Sequence, residues 1–221
     1  MTETELLLWV RGPALQVATV IFLLGVVVRI AEILMLGRKK DLAEARGSAL
    51  AGGVRAMLSR SIPDSGTMQR STFNVVAGYI FHIGFFVVLF LFAPHILLFE
   101  DVFGVSWPAL PTPVIDATAV VTIIALLAVL VHRMRHPVMR FLSRFQDYLV
   151  WLVTILPLIT GYLAFHRVGL VAPPPTLIAI HILSVELLMV VFPFTKLMHA
   201  FTVFMARYYN GAISGYRGVN S

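Results

Sequence analysis

The sequence predicts an all-α integral membrane protein, a bundle of five transmembrane helices with its N-terminus outside the cytoplasm and its C-terminus inside. Three observations carry that expectation. Of 221 residues, 59% are hydrophobic and 13% charged, which is more apolar surface than one soluble core of this length can hide. The apolar residues gather in five stretches, each long enough to cross about 30 Å of hydrocarbon as a helix. Lysine and arginine fall almost entirely in alternate connections, the asymmetry that the positive-inside rule ties to cytoplasmic loops.

The expected spans are 14–36, 73–99, 114–132, 148–166 and 176–206, within one membrane domain covering 1–221, and the last is long enough to protrude. Glu3 and Glu5 precede the first span, which lacks a basic leader segment, so it is expected to stay in the mature protein. Segment 37–71 carries Arg38, Lys39, Lys40, Arg46, Arg55, Arg60 and Arg70; 133–147 carries Arg133, Arg135, Arg140 and Arg144; 206–221 carries Arg207 and Arg217. The other connections hold only Arg11 and Arg167. The outer loops are expected around 108–113 and 173–175, both rich in proline. No internal repeat marks the chain as an inverted-repeat transporter.

The net charge of +6 reports topology and attraction to anionic headgroups rather than nucleic acid, because it sits between apolar spans. The chain has no cysteine. Disulfides, cysteine-ligated iron–sulfur clusters and thioether-attached haem are thereby excluded, which leaves histidine ligation for any haem.

Histidine is where the spans carry chemistry. His82 and His95 lie in the second span, His181 and His199 in the fifth. Eighteen residues are five helical turns at about 3.6 residues each, so His181 and His199 are expected on one face of a helix over 178–204. The topology makes His82 and His199 inner, His95 and His181 outer. Two bis-histidine haems stacked across the bilayer would use these pairs, since iron porphyrin takes an axial imidazole from each side. The inner and outer ligands would be separated by roughly 20 Å on the second helix and roughly 27 Å on the fifth. Thirteen residues turn a straight helix by about 220°, so His95 reaches the fifth helix only if Pro94 kinks the second. Intramembrane histidines can instead hydrogen-bond between helices.

Other polar groups complete the list of candidates. Arg29 and Glu32 are one turn apart and can neutralise each other, or Arg29 can bind a haem propionate; neither is expected to face lipid. Glu186, about 8 Å deeper than His181 by the helical rise, suits a proton carrier or a hydrogen-bond donor to a neighbouring helix. His166 and Asp116 fall at the outer ends of the fourth and third spans. With Phe92 and Tyr162 as walls, they are candidates for a quinone pocket beside His95. His132 and His136 flank a basic turn and read as headgroup or partner contacts.

The segments Phe81-His82-Ile83-Gly84 and Phe192-Pro193-Phe194-Thr195-Lys196-Leu197-Met198-His199, with the eighteen-residue spacing from His181, resemble the membrane gamma subunit of respiratory nitrate reductase, a five-helix dihaem cytochrome b. Arg29, Asp147 and Gly161 also fall where that family places similar residues. The family's outer ligand on the second helix lies ten residues after His82, at Phe92 here, and His95 stands three residues further on. With the long basic first loop, the chain is more similar to relatives in heterodisulfide-reductase-like and dissimilatory sulfite-reduction complexes. The resemblance implies two haem b groups on His82, His199, His95 and His181, electron exchange with quinone or quinol, and a cytoplasmic iron–sulfur oxidoreductase partner in a bacterial or archaeal inner membrane. The competing classes are a non-haem membrane anchor and a small transporter using Arg29, Glu32 and Glu186.

Overall fold

The computed structural model describes residues 2–37, 41–166 and 172–219. Arg38, Lys39, Lys40 and Arg167, counted above for topology, lie outside them. The described residues form helices and no strand, and five of the helices are long and apolar enough to cross a membrane. The chain is an all-α membrane protein. It divides into two compact units, one of Met1–Ala18 with Thr72–Leu188 and one of Thr19–Ser71 with Met189–Ser221.

Helix α1, Glu3–Met35, begins at a capping box: the Thr2 hydroxyl accepts from the Glu5 N–H (3.2 Å) and the Glu5 carboxylate accepts from the Thr2 N–H (2.7 Å), satisfying donors that a helix start leaves orphaned. Pro13 cannot donate, and the helix widens to a π turn over Val10–Ala14 to pass it.

Segment 37–71, expected as a basic loop, contains helix α2, Ala49–Ser59, capped by Ser48. It packs on the last helix, α9, His199–Tyr216, within the second unit. Small residues make the contact. A Cβ at Gly215 would stand 2.6 Å from the Ser48 carbonyl and 2.8 Å from the Gly52 Cα, and Gly211 faces Ala56 and Gly52. Backbones this close are the mark of small-residue helix pairing. Around it, the Arg46 N–H donates to the Tyr216 carbonyl (2.8 Å), the Tyr216 hydroxyl to the Ala43 carbonyl (2.6 Å) and Arg217 to Asp41 (3.0 Å). Segment 206–221, counted above among the basic connections, is thus helical to Tyr216.

Helix α3, Ser65–Leu91, starts under Asp64, whose carboxylate accepts from the Thr67 N–H and hydroxyl. It bends at Ser71, where polar sequence gives way to apolar. The span expected over 73–99 is not one helix. Phe92 is extended (φ −88°, ψ 127°), and a separate helix α4, Ala93–Phe103, begins with Pro94 in its first turn, because proline has no N–H to continue the preceding helix and its fixed φ is suited to a helix start. Helix α5, Thr112–Arg135, ends ahead of Pro137, which opens the short α6, Pro137–Leu142. Helix α7 covers Phe145–Phe165.

Helix α8, Pro174–Val191, takes Pro174 and Pro175 into its first turn rather than leaving them in a loop. The expected continuous helix over 178–204 is broken. Two 3-10 turns, Phe192–Phe194 and Lys196–Met198, flank an extended Thr195 before α9 begins. Pro193 removes a backbone donor there. The five-turn face shared by His181 and His199 does not exist, since it required an unbroken helix.

The core of the first unit is Leu126, Ile155 and Leu158, with Phe81, Phe85, Ile123 and Trp151 packed around it. The Trp151 indole donates to the Leu126 carbonyl (2.8 Å), tying α7 to α5. Gly84 on α3 lies so close to Thr122 on α5 that a Cβ would overlap its hydroxyl. Close backbone approach of this kind is how spans gain dispersion contacts where lipid offers no hydrophobic drive.

Candidate functional site

The break at Phe92 builds half of the site. A helix end leaves carbonyls without helical donors, and three of those here find partners. Pro94 cannot donate to the Phe90 carbonyl; the Trp107 indole does so instead (2.5 Å). The Leu110 N–H donates to the Leu91 carbonyl (2.9 Å). His95 Nδ1–H donates to the Val88 carbonyl (3.0 Å). The ring of His95 is therefore fixed by the very irregularity that its neighbouring proline causes, and the hydrogen bond assigns the proton to Nδ1.

Helices α7 and α8 build the other half. His181 Nδ1 lies 3.3 Å from the Thr160 hydroxyl. The ring rests against α7 where Gly161 has no side chain: a Cβ there would be 3.0 Å from the imidazole Cε1 and 3.2 Å from Nδ1. The His95 and His181 rings are 6.2 Å apart at their centres, with planes inclined by 20°. Two axial imidazoles require about that separation, with a metal–nitrogen bond of about 2 Å on each side and roughly 1 Å more from nitrogen to ring centre. Both Nδ1 atoms are engaged by oxygen, the usual arrangement of a ligating histidine's second nitrogen. With Nδ1 engaged on each ring, Nε2 is the nitrogen of each that could take a metal.

The outer-end candidates form one connected series. Phe92 meets His95 edge to face at 5.2 Å, and Phe165 meets Phe92 at 4.8 Å. Phe165 in turn contacts His166 at 5.3 Å, and Tyr162 contacts His166 at 4.4 Å. His166 Nε2 is 3.1 Å from Asp116 Oδ1. Asp116, His166, Tyr162, Phe92 and His95 are thus brought together within the first unit, from α5, α7 and the start of α4.

The remaining candidates are described by their own elements. His82 is exposed on α3, its Nδ1–H donating to the Gly78 carbonyl (2.6 Å). His199 is exposed at the start of α9, its Nδ1–H donating to the Lys196 carbonyl (2.8 Å). They belong to the first and second unit respectively. Arg29 pairs with Glu32 at 2.9 Å and also donates to the Pro193 carbonyl (3.3 Å); both side chains are about half-exposed, at 48% and 55%, where they were expected to be enclosed. Glu186 is buried, and its Oε1 has no hydrogen-bond partner among the described residues. His132 and His136 meet at 5.2 Å with their rings tilted by 39°, beside Phe73 at the end of α5, next to Arg133, which lies 3.8 Å from Asp147. Among the described residues no group of three or more His, Cys, Asp or Glu could hold a metal ion.

Sequence reading missed Thr160, Ser184 and Trp107. Their one signal is spacing, Thr160 beside Gly161 and Ser184 one turn after His181, and hydroxyls in spans commonly bond only their own helix.

No family model matches the chain, so the likeness to the nitrate reductase gamma subunit rests on the residues quoted for it. The chain is 35% identical over 159 residues to a protein of Nitratidesulfovibrio vulgaris strain Hildenborough, described only as a protein; the match covers 72% of this chain and 69% of that one.

Proposed function

We propose that this chain, which belongs to the same family as the Nitratidesulfovibrio vulgaris protein, is a membrane b-type cytochrome subunit that carries electrons between quinone and a cytoplasmic iron–sulfur oxidoreductase. The observation that carries the reading is the His95–His181 pair, 6.2 Å between ring centres with both Nδ1 atoms engaged. Haem b held there would supply a one-electron carrier, and a second haem is proposed on His82 and His199. The membrane is proposed to be a bacterial or archaeal inner membrane, oriented by the arginine-rich connections.

Asp116 and His166 give the quinol chemistry its proton acceptor. Asp116 Oδ1 accepts from His166 Nε2–H, which leaves His166 Nδ1 as the basic nitrogen and stabilises the imidazolium once it forms, in the manner of carboxylate–histidine couples. Quinol oxidation releases two electrons and two protons. The protons would pass one at a time through His166 Nδ1 to the outer side, while the electrons leave toward the partner. Phe92 and Tyr162 border the same place with aromatic surface. The chain has no cysteine, so reduction of a small molecule falls to the partner.

Purified protein from haem-replete cells should show a reduced b-type spectrum and two haems by pyridine haemochrome, and His95→Ala or His181→Ala should each remove one. Colourless protein, or two haems in both variants, refutes the ligand assignment.

A further inference from the structure

We propose that Thr160 and Ser184 form a hydroxyl pair that sets the tautomer and orientation of His181, making them positioning residues for the outer haem; the inference rests on the bis-histidine reading above. The Thr160 hydroxyl oxygen lies 2.7 Å from the Leu156 carbonyl, 2.9 Å from the Ser184 hydroxyl and 3.3 Å from His181 Nδ1. The Ser184 hydroxyl lies 2.6 Å from the carbonyl of His181 itself and is buried. The two hydroxyls bridge α7 and α8 at the level of the imidazole.

Counting protons assigns the tautomer. Each hydroxyl has one hydrogen and two lone pairs. Ser184 spends its hydrogen on the His181 carbonyl, its shortest contact. The Thr160 hydrogen goes to the Leu156 carbonyl, its shortest acceptor at 2.7 Å against 3.3 Å to the ring nitrogen, which leaves Thr160 with lone pairs alone to offer His181. The Pro157 carbonyl, also near the ring, can likewise only accept. Nδ1 must then carry the imidazole proton, and Nε2 keeps the lone pair that an iron atom needs. An outer-shell acceptor on a ligating histidine also raises its basicity, so the pair acts on the electronics of the site as well as on its shape. Ser184 holds Thr160 in register by the 2.9 Å contact, and Gly161, the next residue, gives the ring its room.

The test uses the full-length protein purified from haem-replete cells, with Thr160→Val, Thr160→Ser and Ser184→Ala, each checked for native helicity and elution. Haem content by pyridine haemochrome in the unsubstituted protein comes first: its absence overturns the bis-histidine reading, independently of any variant. With haem present, Thr160→Val should weaken retention of one haem ten- to a hundredfold, the usual effect of losing an outer-shell partner, or move one midpoint potential. A tenfold change in relative binding of the two oxidation states corresponds to about 59 mV for one electron. Thr160→Ser should restore the native potential and the native low-spin electron paramagnetic resonance signal, and Ser184→Ala should shift the same haem in the same direction by less. The other midpoint should stay fixed. Native potentials and native haem content in both Thr160→Val and Ser184→Ala overturn the proposal. So does a loss in Thr160→Ser equal to that in Thr160→Val, which would identify the threonine methyl rather than its hydroxyl as the working group.

Discussion

Replacing Gly161 separates the stability of the fold from the integrity of the site. In Gly161→Ala the new methyl would stand 3.0 Å from His181 Cε1, 3.2 Å from Nδ1 and 3.5 Å from Nε2, whereas carbon atoms rest at about 3.5–4.0 Å. The ring or the helix must yield by about 0.5 Å. Alanine inside a helix gains about 1 kcal/mol over glycine, and modest overpacking costs about 1–3 kcal/mol. The net lies between neutral and about 2 kcal/mol destabilising, so the protein should insert and purify. A displacement of about 0.5 Å is nevertheless the tolerance of a ligating constellation, so His181 should lose part of its haem. Gly161→Val, with two branches against the ring, should lose that haem entirely. Pyridine haemochrome and thermal unfolding measured on one detergent preparation provide the assay. Full haem content in Gly161→Val with unfolding close to native refutes both the contact and the assignment of His181 as a ligand.

Three further outcomes follow from other parts of the molecule. Trp107→Phe keeps the ring contact with Phe99 but leaves the Phe90 carbonyl without its indole donor, so thermal unfolding should show a loss of about 1 kcal/mol, the low end for a partly exposed unsatisfied group; an unchanged melting curve refutes that accounting. Asp116→Asn and His166→Ala should retain both haems yet slow their reduction by a quinol analogue, and normal quinol-dependent reduction in both removes these residues from the proposed proton path. The Ala43 N–H and then Arg217 hold the Asp41 carboxyl below its ordinary range, so the stability it lends is full above about pH 4 and is lost as pH falls through the lower folded value. Hydrogen exchange around Arg46 and Tyr216 should therefore accelerate only in acid, and Asp41→Asn should abolish that dependence.

The five spans were legible because length and apolarity suffice to mark a helix that must satisfy its own backbone in lipid. Their interruptions were legible only in part. Pro94 announces a bend, but that Phe92 turns fully extended depends on Trp107 and Leu110 arriving to take the freed carbonyls, and nothing local to 92–95 encodes those partners. The break around Pro193 and Thr195 was hidden inside an apolar run that reads as continuous helix. Helix α2 was invisible for a different reason. Its packing face is glycine and alanine, which carry no periodic apolar signal, and its meaning lies in Gly211 and Gly215 far along the chain. At the site, His95, Asp116, His166, Phe92 and Tyr162 were picked out by their common depth and do lie together, while Thr160 and Ser184 escaped because a hydroxyl in a span ordinarily serves its own helix.

The pairing of α2 with α9 also imposes an order on how the polypeptide is made. Arg207 and its hydrogen-bond partner Ser61 are 146 residues apart in sequence, and at about 5–20 residues per second roughly 7–30 s pass on the ribosome between one and the other. Throughout that interval Gly52, Gly53 and Ala56 have been synthesised without the surface they will cover. The second unit can therefore close only after the four intervening spans have been synthesised, and whatever shields α2 in the meantime, lipid or chaperone, has to release it when α9 emerges.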